Sequence, residues 1–262
     1  MKQFIIQDDP DKNGIVFLRG KDYKYLRLVR RMHRNDTFDV VLSGGKNGKA
    51  VITNISNDTI TIKVEKQNVI RNKNDAVNKT KLILFQSMPK GRKLDLIVRQ
   101  AAEVGISQIV PFFSEHSVVQ GGDVHTARFS DNRLDRLQRI VKEALQQSGS
   151  KIDTTILPPK SFCDVQTYWK NLKEQAQTDN QNITGLLIYE VPIVEAGLQN
   201  ALCGGTNTIV FAVGPEGGFS NAEAKNFMEN GFFPITLGEN ILRVETAALY
   251  AAAAIKTTLG HL

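Results

Sequence analysis

Two glycine-bearing segments near the carboxyl end hold the residue types that chemistry needs. They are GPEGGFSNAE at 214–223 and LGENILRVETA at 237–247. Gly214, Gly217 and Gly218 let backbone approach a ligand closely and admit positive φ. Ser220 and Glu223 form the S-x-x-E pattern in which hydroxyl and carboxylate cap a helix reciprocally, so a helix begins directly after the first loop. That loop has neither the Gly-Lys-Ser/Thr of a P-loop nor the G-x-G-x-x-G of a dinucleotide fingerprint. In the second segment, Ile241 and Leu242 lie in a loop beside Gly238, and apolar loop residues suit a wall against a flat aromatic ligand such as adenine. Arg243 reads as a surface charge or as a group that stabilises negative charge on a substrate, and Glu245 as a complement to a helix dipole. Spacing alone also admits a bare glycine-rich turn with no ligand.

The elements around these segments point to a ligand site. Ile209–Val213 and Pro234–Leu237 are short apolar strands, each followed by one of the loops and then by a helix. Loops at the carboxyl ends of strands are where open parallel sheets bind ligands. The second helix carries alanines 251–254, which allow close packing on a neighbouring element or on a second subunit. Upstream, KLILFQS (81–87) is a continuous apolar strand of the kind covered on both faces. A helix is expected over 92–104, with Leu94, Ile97, Val98, Ala101 and Ala102 on one face and Gly105 at its end. The strand SQIVPFF (107–113) completes a β-α-β order, the mark of a parallel sheet. A long loop at 115–130 precedes a second amphipathic helix at 131–147, built on Leu134, Leu137, Val141, Ala144 and Leu145. Residues 158–183 read as a short helix around Trp169 and then an exposed polar loop, EQAQTDNQN, before a third apolar strand, GLLIYEV (185–191).

The first quarter of the chain differs in charge and in pattern. Residues 1–75 hold 15 Lys+Arg and 9 Asp+Glu, which accounts for the whole net charge of +6; residues 76–262 balance at 18 and 18. Phe38, Val40 and Leu42 alternate with polar neighbours, as do Ile60, Ile62 and Val64. SGGKNGK (43–49) reads as a turn-rich link and Asn57-Asp58 as another turn, so a small barrel is expected. Before these strands, 21–36 reads as a short helix. Tyr25, Leu28, Val29 and Met32 form its apolar face, and Lys24, Arg27, Arg30, Arg31 and Arg34 make it basic. Five basic residues in eleven suit contact with a phosphate backbone, although a solvated surface helix has the same pattern. The polar stretch 66–80 serves as the linker, giving a basic domain at 1–72 and a second domain at 73–262.

Composition excludes several classes. A chain of 262 residues, 41% hydrophobic and 23% charged, is an ordinary globular composition. No apolar run approaches the roughly 20 residues of a membrane span, and the acidic residues near the start do not fit a signal peptide. Cys163 and Cys203 form no pair motif, and histidines 33, 116, 125 and 261 show no metal-ligand spacing. A cytoplasmic protein without a metal is therefore expected.

GPEGGFS-x-x-E followed by LG-x-x-ILR-x-ETA closely resembles the SPOUT-class methyltransferases that modify N3 of a uridine in bacterial small-subunit (16S) ribosomal RNA. DYKYLRLVRR, LDLIVRQAAEVGISQIVPFFSEHSVV (94–119) and EALQQS (143–148) extend the resemblance over nearly the whole chain. It implies a PUA-like RNA-binding barrel followed by an α/β domain with a parallel sheet and a deep trefoil knot, assembled as a homodimer. It further implies S-adenosylmethionine held against the loops after Ile188, Val213 and Leu237. Leu187 and Ile188 would contribute from the first of these loops and Gly214, Gly217 and Gly218 from the second. Leu237, Gly238, Ile241, Leu242, Arg243, Thr246 and Ala247 would contribute from the third. The family usually carries arginine at three places where this chain has Lys2-Gln3, His116 and Gly149-Ser150-Lys151, all expected on the RNA side.

Uridine N3 is a poor nucleophile while protonated. Arg243 is expected to stabilise the anion whose charge spreads to the ring carbonyls. Glu216 is expected to orient the base, or to accept its proton if burial raises the carboxyl pKa. Two other classes share parts of the pattern: a non-catalytic RNA-binding assembly factor that keeps the fold, and an enzyme using another nucleotide cofactor.

Overall fold

The computed structural model describes residues 4–6, 8–42, 46–65, 80–117, 131–150, 152–190, 197–202 and 205–260. Lys2, Gln3, Val118, His125, Lys151, Cys203, His261, most of the expected linker and most of the 115–130 loop lie outside these residues. The chain divides into two compact units, one of residues 1–73 with 145–153 and the other of residues 74–144 with 154–262.

The first unit is built on β1 (Phe4–Ile5), β2 (Ile15–Arg19), β3 (Thr37–Leu42), β4 (Lys46–Ile55) and β5 (Thr59–Glu65). They form one sheet in the order β1-β3-β4-β5-β2, antiparallel except for the β1–β3 pair. Alternation sets the core: Phe38, Val40 and Leu42 of β3 and Ile60, Ile62 and Val64 of β5 point inward with Val16 and Leu18 of β2. The supposed link at 43–49 is shorter than its composition suggested. β4 already starts at Lys46, because Lys46 to Lys49 pair with Leu42 to Asp39.

The basic segment also departs from expectation. Helix α1 (Gly20–Lys24) passes into a π-helical turn, Tyr25–Val29, closed by the Arg30 N–H on the Tyr25 carbonyl at 2.9 Å, and the chain then leaves the helix with Arg31 at φ 53°. A five-residue step rotates the apolar face relative to a 3.6-residue helix. Leu26 is therefore the buried residue at 0% exposure, while Leu28 and Val29 are 65% and 69% exposed.

The second unit contains six parallel strands: β6 (Lys81–Ser87), β7 (Gln108–Phe112), β8 (Thr155–Ile156), β9 (Ile183–Ile188), β10 (Thr208–Val213) and β11 (Phe232–Ile235). Their order is β11-β9-β10-β6-β7-β8. Helix α2 (Lys93–Glu103) buries the five residues its periodicity named, and Gly105 at φ 78° follows its end. Helix α3 spans Asp131–Ser148. Helix α4 (Phe162–Thr178) is longer than expected, because the Ser161–Asp164 capping box starts it and Ala176, in the polar tail, is buried. Its Trp169 is buried and donates to the Asn230 carbonyl at 2.9 Å. A short helix, α5 (Leu198–Ala201), precedes β10; α6 (Asn221–Glu229) and α7 (Val244–Thr258) complete the unit. β11 starts two residues earlier than expected. Gly231 at φ 93° ends α6, and Phe232 then pairs with Gly185, where a Cβ would stand 2.9 Å from the Phe232 ring. Pro234 is tolerated because β11 is an edge strand. Among the described residues no helix is long and apolar enough to cross a membrane.

Candidate active site

The strand order brings three loops to one place. β9 lies between β11 and β10, and Ile188 is level with both Val213 and Ile235. The chain segments leaving these three strands therefore emerge side by side at the carboxyl edge of the sheet. They surround a cavity of about 310 Å³.

The first loop is fixed from below. Phe219 is buried and stacks on Phe112, with ring centroids 6.1 Å apart and planes at 12°. Ser220 accepts from the Glu223 N–H and Glu223 accepts from the Ser220 N–H, which confirms the capping box. The other Glu223 oxygen accepts the Glu115 N–H at 2.8 Å, so this side chain also ties down the turn after β7. That turn in turn supports the glycines. His116 Nδ1 lies 3.0 Å from the Gly217 carbonyl and 3.2 Å from that of Gly218. Carbonyl oxygens only accept, so Nδ1 carries the proton. Position 116, expected on the RNA side, is thus bonded directly to the cavity loop. Gly218 has φ 69°, and a Cβ there would stand 3.1 Å from Glu190 Oε1. A Cβ on Gly214 would meet the backbone of Gly218 and Phe219 at 3.2–3.3 Å.

Of the residues expected to hold a cofactor, Ile188, Gly214, Gly218, Leu237, Gly238, Ile241, Leu242, Arg243 and Ala247 line the cavity. Three do not. Leu187 points into the sheet core at 0% exposure, since neighbours on a strand face opposite sides. Gly217 faces His116, and Thr246 is exposed on α7. The wall also includes Tyr189, Glu190, Pro215, Phe219, Asn240 and Lys93, which the sequence did not single out. Glu190 could have been reached by following the β9 loop two residues further. Lys93 is 123 positions before Glu216, and only the pairing of β6 with β10 brings the start of α2 to this edge.

Both expected catalytic residues line the cavity. Arg243 is the exposed N-cap of α7, and among the described residues no carboxylate stands within salt-bridge distance of it. Glu216 accepts from Lys93 Nζ at 2.7 Å and from the Lys90 N–H at 3.1 Å. Burial pushes its carboxyl pKa up, but the Lys93 hydrogen bond and the backbone donors outweigh this and hold it below the usual value. The raised pKa that proton acceptance called for is therefore not found, because an ammonium sits on the carboxylate. The Lys93 pKa is raised in turn, chiefly by the same hydrogen bond.

Of the basic residues in the first unit, Arg27 donates to the Met32 carbonyl at 3.1 Å and closes the turn, while Lys24, Arg31 and Arg34 are exposed and Arg30 is partly buried.

Comparison with known proteins agrees with this architecture. The sequence model of a family described as an RNA methyltransferase domain matches residues 76–256. Ribosomal RNA small subunit methyltransferase E 2 of Borreliella burgdorferi is 27% identical, over 99% of this chain and 98% of its own. The Bacillus subtilis ribosomal RNA small subunit methyltransferase E is also 27% identical, over 91% of this chain and 88% of its own. The crystal structure of the Neisseria gonorrhoeae enzyme of that name, bound to S-adenosyl methionine, superimposes with a TM-score of 0.76 at 26% identity, covering 98% and 97% of the two chains. With the family match spanning well over half of its residues, the chain belongs to the RNA methyltransferase domain family.

Proposed function

We propose that this protein transfers a methyl group from S-adenosylmethionine to N3 of a uridine in small-subunit ribosomal RNA. The observation that carries the reading is the cavity at the ends of β9, β10 and β11, with Arg243 on its wall and without a carboxylate partner among the described residues. The cavity suits the cofactor. Its volume of about 310 Å³ reaches the range of small-ligand sites. Ile188, Leu237, Ile241 and Leu242 offer apolar surface for an adenine, and Gly214 and Gly218 leave loop backbone on the cavity wall uncovered by side chains. Glu190 and Asn240 offer acceptors for ribose hydroxyls or an amine.

S-adenosylmethionine supplies an electrophilic methyl group on a sulfonium. The protein must then make uridine N3 nucleophilic. Arg243 places a guanidinium where a ring carbonyl oxygen gains charge as the N3 proton passes to solvent water before the methyl group is transferred, which lowers the cost of the anion. Glu216, whose carboxyl the Lys93 hydrogen bond holds below the usual carboxylate range, orients groups on the cavity wall. Phe219 and the apolar loop residues exclude water from the reacting atoms. Lys24, Arg30, Arg31 and Arg34 of the first unit, read as a PUA-like RNA-binding domain at 1–72, contact phosphates, with Arg27 shaping the turn that presents them.

The further family features also belong to this reading: the trefoil knot in the 73–262 domain, a homodimer, the assembled small ribosomal subunit as substrate, and a cytoplasmic location. The half-exposed Tyr250 of α7 and Leu96 of α2, on two helices that pack together, supply apolar surface for a second copy.

The test is calorimetry with S-adenosylmethionine and with NAD, followed by transfer of a labelled methyl group to small-subunit RNA. Binding of S-adenosylmethionine alone and labelling of the RNA are expected. NAD binding in its place would overturn the cofactor assignment, and cofactor binding without transfer would favour a non-catalytic assembly factor.

A further inference from the structure

Three elements meet at one ammonium. Lys93, in the first turn of α2, stands 2.7 Å from Glu216 Oε1 in the loop after β10 and 3.8 Å from Glu245 Oε2 in the first turn of α7. Neither carboxylate is well hydrated: the two side chains are only 21% and 18% exposed. Glu245 Oε2 is buried and makes no hydrogen bond, so the Lys93 charge is what offsets it. Arg243, two residues before Glu245, is close enough to Lys93 for the two cations to repel. Glu190 and Glu239 also line this wall, yet among the described residues Lys93 holds Glu216 and Glu245 and no carboxylate pairs with Arg243.

We propose that Lys93 is a positioning residue: by holding Glu216 and Glu245 it keeps Arg243 free of a carboxylate partner and available to the substrate oxygen. This rests on the methyl-transfer reading for its consequence, but not for its geometry. A guanidinium matches a carboxylate better than an ammonium does, because it forms two parallel bonds. An arginine on the same cavity wall as Glu216, and two residues from Glu245 in the chain, would pair with one of these poorly hydrated carboxylates unless another cation were already there. Lys93 is that cation, and it comes from a helix whose start is brought to this edge by the pairing of β6 with β10.

The test compares the full-length wild type with Lys93→Met, Lys93→Arg and the triple variant Lys93→Met/Glu216→Gln/Glu245→Gln. In a crystal structure of Lys93→Met, Arg243 is expected within about 4 Å of Glu216 or Glu245. An Arg243 that remains clear of both carboxylates overturns the proposal. At saturating cofactor, kcat of Lys93→Met is expected to fall about 100-fold, the effect of losing one preorganised donor to a developing oxyanion. Lys93→Arg and the triple variant are expected to regain at least about tenfold of that loss, since one restores the cation and the other removes the anions that capture Arg243. A triple variant as slow as Lys93→Met would mean that Lys93 acts only by holding the loops, and would overturn the charge argument. A wild type that binds cofactor but transfers no methyl would count against the methyl-transfer reading, while the crystallographic comparison still decides the clasp.

Discussion

Replacing Gly218 with alanine tests whether the cavity loop is shaped for a ligand or only for a turn. Gly218 sits at φ 69°, where an L-residue pays about 1–2 kcal/mol. Its new methyl group would stand 3.1 Å from Glu190 Oε1, tighter than an ordinary contact, and Glu190 is part of the cavity wall. The strain lowers stability, and the displaced carboxylate narrows the cavity. Gly231 provides the control. It has φ 93°, no atom within 4 Å of a Cβ, and a place between α6 and β11 away from the cavity wall. Urea denaturation is expected to show a loss of about 1–2 kcal/mol in both variants. Calorimetry is expected to show S-adenosylmethionine affinity about tenfold weaker, near 1.4 kcal/mol, in Gly218→Ala alone. Unchanged affinity in Gly218→Ala, or equal weakening in Gly231→Ala, would refute the reasoning, because the loop would then matter only through overall stability.

Other outcomes follow from the same geometry. Arg243→Ala is expected to lower kcat by about 10²–10³-fold while calorimetry still detects cofactor binding; full activity would remove Arg243 from the mechanism. Glu223→Ala keeps the Ser220 cap but loses the carboxylate half of the capping box and the hydrogen bond from Glu115, so thermal denaturation should report a loss of about 1–2 kcal/mol. The Glu216 carboxyl is depressed in the folded state, so the stability it contributes is present above the ordinary glutamate value and lost as pH falls through the lower folded pKa. Lys93, whose pKa is raised, contributes stability that is complete below the ordinary lysine value and lost as pH rises through the folded one. Glu216→Gln should therefore flatten the acid limb of stability measured by urea denaturation across pH, and an unchanged limb would place the linkage elsewhere. Replacing Arg31 and Arg34 with alanine should reduce the salt slope of RNA binding by about 0.9 for each phosphate that the protein no longer neutralises; an unchanged slope would put the RNA on another surface.

The parts of the fold legible in the sequence are those where one periodicity acts alone. Helix α2 buries Leu94, Ile97, Val98, Ala101 and Ala102 as its spacing requires, and Ser220 caps α6 as its pattern requires. Local pattern failed where the backbone left the ideal helix. The π turn at Tyr25–Val29 moved burial to Leu26 and left Leu28 and Val29 in solvent. It also failed where polarity was taken for a loop, as in α4, whose polar tail is a solvated helix face with Ala176 inward. Within the site, Gly214, Gly218, Ile241 and Leu242 were visible because glycines after a strand and apolar residues in a loop stand out locally. Lys93 was not, because nothing local marks a lysine whose partners are brought to it by strand order.

The most direct test of the account is to map the methylated atom. Small ribosomal subunits lacking the modification are incubated with the protein and S-adenosylmethionine, and their nucleosides are resolved by mass spectrometry. A single new N3-methyluridine is expected, formed about 10²–10³-fold more slowly with Arg243→Ala. A methyl group on a ribose hydroxyl or on carbon 5 of the base, or an equal rate with Arg243→Ala, would contradict the account.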